Sequence, residues 1–190
     1  MAYTGRLIEV IIARLPRQED KQTMNDPETI VEQTGGFYLT PDGFKTLEKE
    51  LEHLTMVKRP EIADRIRESQ THGEFAEDNS ELDEVKFEQA MVEGRIAELK
   101  TIFSNAHVID MAQVSTEHVG LGSKVTVEDV DFGDKFDIRI VTSVEADPTK
   151  DLVSNESPLG MALFGHKKGE TLKVQAPDGA KNFKISKIGK

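Results

Sequence analysis

Apolar residues recur through the first half of the chain at alternating steps of three and four, and after residue 110 they alternate one-for-one with polar ones. Phe44, Leu47, Leu51 and Leu54 follow a single stripe, the spacing that lines one side of a helix against one neighbour. Thr40-Pro41 opens this helix: a threonine hydroxyl caps free backbone N–H groups, and proline at the first helical position loses nothing by lacking a donor. Pro60 interrupts the stripe, and Ile62 and Ile66 leave its register, which predicts a kink or a brief restart. A second stripe runs through Leu82, Val85, Gln89, Val92, Ile96, Leu99 and Phe103, with Gln89 its single polar member. Asn79 or Ser80 caps its start, and Asp83 stands three residues after Ser80. Two long helices joined by a short turn run antiparallel, so the stripes face each other as a two-stranded coiled coil. A larger bundle needs further amphipathic helices of comparable length, and the remaining sequence has none.

Beyond Asp110 the period falls to two. Lys124–Val127 and Phe136–Val141 alternate around the turn Asp131-Phe132-Gly133-Asp134. Thr171–Val174 and Asn182–Ile188 do the same around Pro177-Asp178-Gly179, a hairpin signal. Ser157-Pro158 starts a short helix that ends near Phe164-Gly165. The expected class is α+β: an N-terminal antiparallel two-helix coiled coil, then a small antiparallel sheet with one short helix across it. Three regions follow: residues 1–36 as an extension expected to be mostly disordered, residues 37–112 as the hairpin domain, and residues 113–190 as the sheet domain. Asn25-Asp26-Pro27-Glu28 and Gln33-Thr34-Gly35-Gly36 read as loop and linker. Residues 6–14 have room for a helical turn or two, with nothing nearby to bury them.

Composition narrows the function classes. Of 190 residues, 37% are hydrophobic and 31% charged, with a net charge of −11. That suits an elongated helical element and one modest core. So acidic a chain does not use a nucleic-acid backbone as its main partner, because phosphate contacts need clustered Lys and Arg; the excess acid also serves solubility. The chain has no cysteine, which excludes disulfides, thiolate metal sites and cysteine nucleophiles and is compatible with a reducing cytoplasm. No apolar run approaches the ~20 residues of a membrane span, so no membrane partner is expected. Leu7–Ile12 is interrupted by Glu9 and lacks a small-residue cleavage site behind it, which argues against a signal peptide.

The candidate chemistry sits between the two helices, in His72-Gly73-Glu74-Phe75-Ala76-Glu77-Asp78-Asn79-Ser80-Glu81. Glu74, Glu77 and Asp78 lie within five residues, and Glu81, Asp83 and Glu84 follow. Acids at a helix start complement the helix dipole, which is a purely structural reading. The functional reading is a divalent cation. Mg²⁺ takes oxygen ligands and is typically held by one or two carboxylates plus substrate phosphates. Two acids are too few for a dedicated cage, and enough to complete a site that another molecule has begun. The turn does not match an EF-hand loop. Phe75, among the acids, either folds back on the helices or inserts into a partner. Gly120-Leu121-Gly122-Ser123-Lys124 completes neither a P-loop nor a nucleophile elbow, and the histidines at 53, 72, 107, 118 and 166 show no metal-ligand spacing. After residue 112 there is no Trp or Tyr, which argues against a prolyl isomerase pocket.

These residues resemble the bacterial Gre transcript-cleavage factors over roughly residues 37–190. The carriers are Leu39-Thr40-Pro41-Asp42-Gly43-Phe44, Lys58-Arg59-Pro60-Glu61-Ile62, the tip His72-Gly73-Glu74-Phe75, Glu93-Gly94-Arg95-Ile96, Ser104–Asp110, and Ser157-Pro158-Leu159-Gly160 running to Phe164-Gly165. The resemblance implies a protein without enzymatic activity or cofactor of its own, cytoplasmic and monomeric. Its coiled coil enters the secondary channel of bacterial RNA polymerase, and its FKBP-like C-terminal domain docks at the channel rim. Tip acids then share Mg²⁺ with the polymerase, which cleaves its own backtracked RNA near the nascent 3′ end. On this mapping Glu74 is the first acid and Glu77 the second. Glu156-Ser157-Pro158 falls on the rim-docking segment, and Lys86 is a candidate contact for the RNA. The family tip commonly reads Gly-Asp-Leu-x-Glu-Asn. Here the first acid is Glu, and Asp78 is an extra residue before Asn79, so Asp78 competes with Glu77 as second ligand. Ser69-Gln70-Thr71-His72-Gly73 lacks the arginine that often leads into the tip. A factor of the same fold that occupies the channel without promoting cleavage is the alternative.

Overall fold

The computed structural model describes residues 36–72, 80–176 and 179–190. The expected disorder of residues 1–36 therefore lies, Gly36 apart, outside the described residues. Two compact units emerge: residues 44–105, and residues 36–43 together with 106–190. Residues 37–43 and 106–112, read from sequence as part of the hairpin domain, thus cluster with the sheet.

The helical unit carries α1 (Pro41–His53) from Phe44 onward, α2 (Arg59–His72) and α3 (Ser80–Ser104). Its seam is apolar. Leu47, Leu51 and Ile62 on the first side, and Val85, Ile96, Leu99, Ile102 and Phe103 on the second, are buried. Each such side chain contributes roughly 1.5–3 kcal/mol. Phe44 meets Phe103 edge to face, with ring centroids 5.1 Å apart. Bridges from Arg95 to Glu50 (2.7 Å), Arg59 to Glu93 and Arg65 to Glu88 cross between the helices. Their positions ascend on one helix and descend on the other, as antiparallel packing requires. These pairs are partly exposed, so each stabilises by only about 0.2–1 kcal/mol. Hydrogen bonding to Arg59 lowers the Glu93 pKa, and bonding to Glu50 raises that of Arg95.

One local expectation changes. Gln89, placed in the seam by its spacing, is exposed, and Ile102 is buried instead. Burying an unpartnered amide costs more than the neighbouring methylenes return. The restart expected near Pro60 is present as a change of helix type: α1 ends at His53 and α2 begins at Arg59. Leu54–Lys58 forms a π-helical turn in which the Arg59 N–H donates to the Leu54 carbonyl. Proline lacks a donor and crowds the carbonyl four residues back, and the widened turn accommodates both.

In the other unit, β3 (Lys124–Asp129), β4 (Lys135–Val141), β5 (Leu152–Ser154), β6 (Thr171–Ala176) and β7 (Gly179–Gly189) form one sheet in the order β5-β4-β3-β7-β6. The pairs β3–β4, β3–β7 and β6–β7 are antiparallel, and β4–β5 is parallel. The sheet is therefore mixed, a correction to the wholly antiparallel expectation. The chain returns to the β5 edge through a 3₁₀ turn at Pro148–Lys150, capped by the Asp147 side chain, with Asp151 in the left-handed region at φ 57°. Bonds to Lys150 and then Thr149 depress the Asp147 pKa to about 2. Alternating residues Val125, Val127, Ile138, Ile140, Phe183 and Ile185 form the core, with Leu163 of α4 (Pro158–Leu163) in the same cluster.

A small parallel sheet joins β1 (Phe37–Leu39) to β2 (Ala106–Val108). Thr40 caps the first turn of α1 as expected, its hydroxyl accepting from the Gly43 N–H at 3.0 Å. The same Thr40 donates its N–H and hydroxyl to the Glu145 carboxylate. Glu145 is only 7% exposed. Burial raises its pKa, opposed by the Thr40 bonds and Arg139 and reinforced by Asp42. Gly43 is needed here, because a Cβ would overlap that carboxyl group.

Candidate functional site

Glu74, Phe75, Glu77 and Asp78 lie in residues 73–79, outside the described residues. What is described is their mounting. The segment joins the last residue of α2, His72, to the first of α3, Ser80. Ser80, one of the two expected caps, is already helical, while Asn79 falls outside. Glu81, Asp83 and Glu84 in the opening turns of α3 are exposed, where their charge suits the helix dipole. Among the described residues no three His, Asp or Glu side chains converge on a metal-sized space.

Lys86 follows Val85, a fully buried seam residue, by one position and so turns about 100° away from the seam. It is exposed and pairs with no described carboxylate. At 1.5 Å rise per residue it stands roughly 9 Å along α3 from Ser80.

Glu156, Ser157 and Pro158 form the loop that opens α4, and the structure gives each a different task. Ser157 is the helix cap: its hydroxyl accepts from the Gly160 N–H at 3.0 Å and donates to the Ser154 carbonyl at 2.7 Å. Both capacities are used inside the chain, so Ser157 shapes the loop. Pro158 is exposed at the first helical position. Glu156 is exposed and held: its N–H donates to the Ser154 hydroxyl at 3.0 Å, and its carboxylate accepts from the Ser143 hydroxyl. Gly160 makes the turn possible, since a Cβ there would overlap the Ser154 carbonyl. The Asn155 amide oxygen beside them is buried with no hydrogen-bond partner, an open acceptor in the same loop. Ser143, Ser154 and Asn155 were missed from sequence. Ser143 is thirteen residues from Glu156, and nothing in the local pattern signals that pairing.

Two features of α3 also escaped the sequence reading. Phe87 and Met91 are 68% and 61% exposed, on the side of the helix away from the seam.

Comparison with known proteins assigns both units. The family model described as the N-terminal part of transcription elongation factors matches residues 37–108. The one described as the GreA/GreB C-terminal part matches residues 114–190. Transcription elongation factor GreA of Clostridium novyi is 47% identical over 152 residues, 80% of this chain and 95% of that protein. Its counterpart in Acetivibrio thermocellus is 48% identical over 152 residues, again 80% and 95%. Among solved structures, GreA factor homolog 1 of Thermus thermophilus is 31% identical, with 82% of this chain and 99% of that chain covered and a TM-score of 0.37. The chain belongs to the GreA/GreB family of transcription elongation factors.

Proposed function

We propose that the protein inserts its helical hairpin into the secondary channel of RNA polymerase and promotes cleavage of backtracked RNA by the polymerase itself. The observation that carries this reading is a stiff antiparallel hairpin whose two helices are joined by a segment with three carboxylates, in a chain of this family. Glu74 and one of Glu77 or Asp78 would contribute oxygen ligands to Mg²⁺ bound by the polymerase. There the ion's chemistry is activation of water for in-line attack on a phosphodiester. Lys86, unpaired among the described residues, suits the phosphates of the nascent RNA 3′ end. Glu156 and Pro158 suit docking at the channel rim, with Ser157 holding them in place. The chain supplies ligands and position, and the bond-breaking centre stays in the polymerase. This is why no enzymatic activity is assigned to the factor.

The test is RNA cleavage by stalled, backtracked polymerase. Wild-type protein accelerates it. Glu74→Ala/Glu77→Ala binds polymerase as wild type does and returns cleavage to the unassisted rate. A second reading, occupation of the channel without cleavage, draws on the tip itself: a longer first acid and the inserted Asp78. Wild-type protein that binds polymerase and slows cleavage would establish that reading instead.

A further inference from the structure

The turn between β3 and β4 carries an aromatic ring that the fold does not use. Phe136, in β4, meets Phe183 edge to face with ring centroids 5.8 Å apart, and so extends the core. Phe132 does not. It is 78% exposed, and Val130 beside it is 50% exposed. A ring left in water forfeits the burial that is its main contribution to stability. Turn geometry does not ask for it either. Among the described residues Asp151 is the one non-glycine at positive φ, so the Phe132 backbone takes a conformation open to any side chain.

The turn is nevertheless held firmly. The Asp129 carboxylate accepts from the N–H groups of Asp131 at 2.9 Å and Phe132 at 3.3 Å. The Asp129 N–H donates to the Asp134 carbonyl at 2.9 Å, and the Gly133 N–H to the Asp129 carbonyl at 2.7 Å. Gly133 closes the loop at φ 77°, where glycine carries no strain. The Val130 N–H donates to the Asn182 carbonyl and ties the turn to β7. The ring thus stands on a fixed mount, which reduces the freedom lost on binding. Glu128 and Lys135 at the foot of the turn pair with each other. Asp131 and Asp134 at its tip are exposed and form no ion pair with a described residue.

That combination selects a partner. An apolar anchor between two free carboxylates fits a protein surface with an apolar pocket edged by Lys or Arg. A second copy fits poorly, because it would set the acids of one tip against those of the other. Geometry favours the partner that receives Glu156. β4 spans Lys135–Val141, about 20 Å. Phe132 lies before one end, and Ser143, which holds Glu156, beyond the other. An interface of ordinary size covers about 800 Å² per partner, a patch roughly 30 Å across, so one surface can engage both.

We propose that Phe132 is a second anchor on RNA polymerase, its ring seated in an apolar pocket and Asp131 and Asp134 paired with cations at the pocket's edge. The proposal rests on the polymerase-docking reading above and adds an orientation to it. Two contacts at opposite ends of one strand fix the sheet unit against rotation, which a single loop does not.

The test is the affinity of the full chain for RNA polymerase at several salt concentrations, with the Tm of each variant. Phe132→Ser weakens binding roughly thirty-fold, the loss of an aromatic hot spot, at unchanged Tm because the ring is already in water. Asp131→Lys/Asp134→Lys weakens binding strongly at low salt and less at high salt, since salt screens the repulsion it introduces. Wild-type protein that binds polymerase, with Phe132→Ser binding equally well, overturns the anchor and leaves the docking reading standing. Wild-type protein that does not bind overturns both. Self-association of the free protein that Phe132→Ser abolishes, read by sedimentation velocity, assigns the tip to a second copy and also overturns the proposal.

Discussion

Glu156 and Lys86 are both charged and exposed, yet the structure holds only one of them in place. Glu156 is fixed by the Ser143 hydroxyl and by its own N–H on Ser154, in a loop that Ser157 caps. Lys86 projects from α3 with no described partner. A pre-set carboxylate loses little freedom when it binds, so it suits a partner with a fixed surface such as a channel rim. A free ammonium on a four-carbon stem adapts to a target that moves, which an RNA end does. Under the proposed function, the contrast would separate a region that sets register from one that supplies reach.

The largest effect on this contrast should come from Gly160→Ala. The methyl meets the Ser154 carbonyl, and backbone overlap costs about 3 kcal/mol. Thermal unfolding measures it, and polymerase binding should fall with it. An unchanged Tm would mean that the loop is not set as described. Ser157→Ala removes the cap and about 1 kcal/mol; chemical denaturation should show a lower midpoint at constant slope. Ser143→Ala leaves the fold intact and frees Glu156. Ordering one side chain costs about 0.5–1.5 kcal/mol, so affinity for polymerase should drop roughly five-fold, and wild-type affinity would mean that Glu156 need not be pre-set. Lys86→Ala should weaken cleavage stimulation only a few-fold with binding unaltered, the signature of an adaptable contact.

Glu145 offers a pH handle. Its folded pKa is raised by burial, so the folded state holds this proton more tightly than the unfolded chain. Stability from this group is present at low pH and falls as pH rises through the raised value. The advantage of Glu145→Gln over wild type should therefore grow as pH climbs from about 4.5, the ordinary value, toward neutrality. Unfolding free energies at several pH values check it, and an advantage that shrinks with pH would reverse the assignment of burial as the dominant cause.

Much of this architecture was written in local pattern. The three- and four-residue steps of Leu47, Leu51, Ile96 and Leu99 found the seam, and period-two alternation found β3, β4, β6 and β7. Thr40 and Ser157 were legible as caps because the cap signal is local in sequence. The misses were non-local. β1, β2 and β5 are three residues each, too short for a period to show. The parallel edge at β5 depends on a turn whose cap, Asp147, has no strand signature. Gln89 fitted the spacing, but solvation of its amide outweighed register. The Glu145–Thr40 and Ser143–Glu156 contacts join residues that only the fold brings together. The tip acids stand out in the sequence by type and density, and the segment that carries them joins α2 to α3, in agreement with the expected hairpin.

The most direct measurement is the rate of RNA cleavage in backtracked RNA polymerase complexes with saturating factor, wild type against Glu74→Ala/Glu77→Ala. The account predicts strong acceleration by wild type, and for the variant the rate without factor at undiminished polymerase affinity. Equal acceleration by both proteins would contradict it, because the carboxylates would then contribute nothing to the reaction they are placed to assist.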